Sequence, residues 1–165
     1  MRGTHRDYVE ELLADAAADH ARLIAQLPEA LRASLPVDAQ GVTRAIEHLG
    51  AAAGMSDQER LALIRPHAVN PAVLHARVFG PAPLARETVI GSFVEGARVR
   101  AGALTALAEA VAGEPLVLEV RTVLAADPPP VRADAPDVLP ALRATYAAQE
   151  RAAILIADAL DRLTV

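Results

Sequence analysis

Val9, Leu13, Ala16, His20, Leu23, Ile24 and Leu27 recur at spacings of three and four, a stripe that commits the start of the chain to one long amphipathic helix. The same spacing returns in Ile90, Val94, Ala97, Ala101, Leu104, Ala108 and Val111, and again in Leu142, Tyr146, Gln149, Ala153, Ile156, Leu160 and Leu163. A shorter stripe, Val42, Ala45, Ile46, Leu49 and Ala53, lies between the first two. A chain with these stripes has little choice but to pack helix on helix.

Punctuation agrees with the periodicity. Thr4 can cap the first helix, with Asp7 at its third helical position. Pro28 ends or kinks that helix, and a short piece to Leu35 precedes Pro36. The second helix is expected from about Asp38 to Ala53, with Gly54 closing it. Ser56 and Glu59 form a capping box for a short helix that stops near Pro66. Asn70-Pro71 is another start signal, and Gly80 an end. The third long helix is expected over 84–112 before Gly113, and the last from near Asp137, with Pro140 tolerable in the first turn. Asp127 to Ala135 reads as a stiff, proline-rich loop. Residues 116–124 are rich in β-branched side chains, but a lone strand would leave its backbone groups unpaired, so a short helix is expected there.

These elements predict an all-α fold, an antiparallel four-helix bundle with short accessory helices, in a single domain over 1–165. Its core is aliphatic. Hydrophobic residues make up 53% of the chain but aromatic ones 2%, so Ala, Leu, Val and Ile fill the interior. The scarcity of rings argues against a stacking site for nucleobases. Sixteen basic and 21 acidic residues give a net charge of −5, without the basic stripe that tracking phosphates requires, so no nucleic-acid partner is expected. Cysteine is absent, which excludes disulfides and thiol catalysis by this chain. The polar start, Met1 to Asp7, does not read as a signal peptide, and no apolar run is long enough to span a membrane. A cytoplasmic location is expected.

Bundles place ligand sites on the inward faces of their helices. His20 falls on the first stripe, as a metal ligand or general base on one reading and a core histidine on the other. His48 flanks the second stripe and can face a groove between helices. Tyr146, Gln149 and Glu150 are the polar residues nearest the inward face of the last helix. His5, His67 and His75 read as surface or loop residues, and Glu11, Asp15 and Asp19 as a solvated face. Phosphate-loop, dinucleotide-fingerprint, zinc-protease and nucleophile-elbow motifs are all missing.

The stretch Val42-Thr43-Arg44-Ala45-Ile46-Glu47-His48-Leu49, followed by a long third helix and a last helix with an inward polar patch, resembles the DinB/YfiT-like family of bacterial four-helix bundles. The resemblance implies a divalent metal (Ni, Zn, Mn or Fe) held by the histidine of the His-Leu pair and two histidines on the last helix. It also implies, for some members, thiol-dependent transferase or isomerase activity. His48 stands at the first ligand position, while Tyr146 and Glu150 stand where the other two histidines would be. A metal site here would draw on His48, Glu150 and His20. With so few of the ligands in place, the expected role is non-catalytic binding of a small molecule or partner, with no cofactor and with homodimerisation through Ala-rich faces. A DinB-type metal-dependent, thiol-linked transferase or isomerase is the alternative.

Overall fold

A computed structural model of the chain describes residues 3–26, 29, 39–64, 86–125 and 138–163. Among these residues every regular element is a helix: α1 (His5–Ala25), α2 (Gln40–Ala52), α3 (Asp57–Ile64), α4 (Arg86–Ala112), α5 (Glu114–Ala125) and α6 (Val138–Leu163). The short piece before Pro36, the helix expected between Asn70 and Gly80, and the proline-rich loop lie outside the described residues, as do His67 and His75.

Two capping boxes start helices where the sequence placed them. Thr4 Oγ1 accepts the Asp7 backbone N–H at 3.0 Å while Asp7 accepts that of Thr4 at 3.2 Å. Ser56 Oγ and the Glu59 carboxylate exchange the equivalent bonds at 3.2 and 2.7 Å. Each box satisfies two donors that a helix start leaves unpaired. At the other ends, Gly54 and Gly113 sit at φ +84° and +71°, the left-handed conformation that turns a chain out of a helix. After Gly113 the chain folds back, so that α5 packs on both α4 and α6. The β-branched stretch 116–124 is therefore helical, with Leu116, Val117 and Val120 buried.

α6 is the central element, touching α1, α2, α4 and α5. α1 runs against it, since Arg6 at the start of α1 pairs with Asp158 near the end of α6 at 2.9 Å. α1 also runs against α2: Gly41 at the start of α2 lies on Leu13 and Ala16, and His48 near its end meets His5. α4 and α6 share one direction. Ile90 and Val94 cluster with Val138 and Leu142, Gln149 bonds the Ala97 carbonyl, and Leu104 and Ala108 cluster with Ala152 and Ile156. α1 is thus antiparallel to α2 and α6, and α4 is parallel to α6.

The core is aliphatic, as composition requires. Leu104, Leu107, Leu142 and Ile156 are fully buried. Leu23 departs from its stripe and is 61% exposed. α2 begins opposite Leu13 and Ala16, so the last turns of α1 run past it. Leu163, at the final turn of α6, is likewise exposed. No helix among the described residues is long and apolar enough to cross a membrane.

Candidate functional site

Three polar side chains meet in the interior where α4 faces α6. Arg100 is three residues after Ala97 and four before Leu104, so the helical repeat turns it onto the apolar stripe. It is 6% exposed. Its Nε donates to Gln149 Oε1 at 3.0 Å, and its guanidinium lies over the Tyr146 ring, 4.9 Å from the centroid. Gln149 is wholly buried and its Nε2 donates to the Ala97 carbonyl at 2.7 Å. Each half of the amide is thereby engaged, as a buried amide must be. Desolvating a guanidinium is costly, and the amide oxygen and the ring face are among the contacts that offset that cost. A planar cation with five N–H donors, set beside an amide and a phenol, can recognise an oxyanion.

A second cluster forms where the start of α1 meets the ends of α2 and α6. His5 Nδ1 lies 3.0 Å from His48 Nε2. Tyr8, one turn after His5, sets its ring 4.4 Å from that of His48. Asp161 of α6 accepts the backbone N–H groups of His5 and Arg6 at 2.7 and 3.0 Å, an anion on the positive end of the α1 dipole. Burial holds the His48 ring below its ordinary pKa, and charge on His5 acts the same way. Both histidines remain half-buried.

The residues expected to form a metal site are dispersed. His20 is half-buried on α1, and His48 is turned to His5. Glu150 is half-buried on α6, where burial raises its pKa and Arg151 partly offsets the rise. Among the described residues no three His, Asp or Glu side chains gather into a group that could hold a metal ion. Tyr146, which follows the family's ligand position, lies beneath a guanidinium, where a divalent cation would be repelled.

Sequence reasoning missed Arg100, His5, Tyr8 and Asp161. Arg100 is missing from the residues expected to face inward, although its spacing from Ala97 and Leu104 puts it on the stripe. His5 was read as exposed beside the cap, and nothing local reveals that α2 ends next to it. Glu11, Asp15 and Asp19 are exposed, as a solvated face should be, and Asp19 pairs with Arg22. Compared with known proteins, the chain matches no family model, no curated protein and no solved structure.

Proposed function

We propose that the chain is a single domain in which α1, α2, α4 and α6 form a four-helix bundle, with α3 and α5 as accessories, and that it acts as a non-catalytic binding protein for a small oxyanionic molecule. The observation that carries this reading is the buried Arg100, bonded to Gln149 and stacked on Tyr146 between α4 and α6. The interior between helices is where bundles hold their ligands. A guanidinium there carries the charge that the carboxylate, phosphate or sulfonate of a guest would need. The aliphatic walls around it favour a guest whose remainder is apolar.

A thermal-shift screen of small carboxylates, phosphates and sulfonates tests the reading. Some of these compounds stabilise the wild type, by about 2.7 kcal/mol at a concentration one hundred times Kd. They do not stabilise Arg100→Met, which keeps the volume but lacks the charge. Stabilisation of both proteins alike, or of neither, rejects the proposal.

A further inference from the structure

The pairing of His5 with His48 uses neither Glu150 nor His20, and it is independent of the interior site proposed above. Two imidazole nitrogens bound to one metal at about 2.0–2.1 Å stand about 2.9 Å apart at a right angle and about 3.4 Å apart at the tetrahedral angle. His5 Nδ1 and His48 Nε2 stand 3.0 Å apart, within that interval. Asp161 fixes the first turn of α1 through the His5 and Arg6 amides, and the Tyr8 ring lies 4.4 Å from that of His48. Neither side chain is fully buried, so solvent reaches the pair and can fill the remaining positions of an ion held there.

From this geometry we propose that His5 and His48 form a surface site for a borderline divalent transition metal, Zn²⁺, Ni²⁺ or Cu²⁺, which ties the start of α1 to the end of α2. In the free protein one ring donates its N–H to the lone pair of the other. On binding, the donor ring carries its proton on its other nitrogen, and both facing lone pairs turn to the metal. Imidazole ligands suit all three ions, and Cu²⁺ binds most tightly among them. Asp161, within 3.0 Å of two amides at the same end, adds negative charge that favours a cation there. Because α1 and α2 meet only in the folded chain, the ion also stabilises the fold.

The test is calorimetric titration of full-length, chelator-stripped protein with ZnCl₂ and NiCl₂ at pH 7.5. The wild type takes up one ion per chain. His5→Ala and His48→Ala each weaken binding by more than about tenfold, and His20→Ala and Glu150→Gln leave it unchanged. Electron paramagnetic resonance of the Cu²⁺-loaded wild type shows coupling to two imidazole nitrogens and gives an answer even if a variant is unfolded. Absence of saturable binding up to millimolar metal overturns the site, since the pair is then a hydrogen bond only. Undiminished affinity in folded His5→Ala, or coupling to fewer than two imidazoles, overturns it as well.

Discussion

Gln149 is the residue that fixes α6 against α4, because its two amide atoms engage both a side chain and the backbone of the facing helix. Gln149→Leu fills the space but leaves the Ala97 carbonyl and Arg100 Nε without that partner. A loss of about 3 kcal/mol in urea denaturation is expected, and adding Arg100→Met should recover part of it, since the buried charge goes too. His48 supplies a pH dependence. Its pKa is lowered in the fold from an ordinary 6.5, so the neutral ring is the favoured native form. The associated stability is fully present above pH 6.5 and is lost as pH falls through the folded value. In metal-free protein, stability at pH 5.5 should lie below that at pH 7.5, with a smaller gap in His48→Gln. At this scale the sequence was only half informative. Spacing marks a residue as inward, so Gln149 and Tyr146 were legible and Arg100 could have been. Which inward or flanking groups meet depends on helix order and register, and the His5–His48 contact is not written in any local pattern.

Helix boundaries are the most legible feature because they depend on neighbours in sequence. Thr4 with Asp7, Ser56 with Glu59, and the glycines at 54 and 113 set the ends of four elements by local hydrogen bonding or backbone freedom. Helix-on-helix approach is less legible. Gly41 begins α2 without advertising that it lies on α1, yet a Cβ there would stand 3.1 Å from the Ala16 Cβ and 3.3 Å from the Leu13 Cα. Gly41→Ala sets two effects in opposition. Helix propensity improves by about 1 kcal/mol, while overpacking against backbone costs about 1–3 kcal/mol. Leu13 Cα cannot step aside by rotation, so the clash should win and lower the melting temperature. A Cβ on Gly113 would meet nothing within 4 Å, so its constraint is conformational. Gly113→Ala should cost about 1–2 kcal/mol, because φ +71° is unfavourable for any residue with a Cβ.

At the scale of the whole molecule, α1 opposes α2 and α6, while α4 and α6 run together. Parallel neighbours require the chain to travel back between them, and α5, which follows α4 in sequence, packs on both α4 and α6. The stripes alone could not reveal this, since an amphipathic helix buries the same face whichever way it points. The arrangement divides the buried apolar residues into a larger cluster around Leu104, Leu107 and Ile156 and a smaller one around Ile90, Leu142 and Tyr146. Both α4 and α6 pass through the two clusters, and the Arg100–Gln149 pair lies at the junction, so opening either cluster strains the same two helices. One cooperative transition is the expected consequence. The tyrosines make this measurable. Tyr146 is buried in the smaller cluster and Tyr8, the other tyrosine, is 48% exposed, so near-ultraviolet dichroism reports mainly on the smaller cluster. Far-ultraviolet dichroism reports on every helix. The two signals should lose their native values at the same urea concentration. Leu104→Ala and Leu142→Ala, each expected to cost about 2–5 kcal/mol, should move both signals together whichever cluster carries the change. If Leu142→Ala shifts the tyrosine signal ahead of the helical one, the smaller cluster opens on its own and the single-domain reading fails.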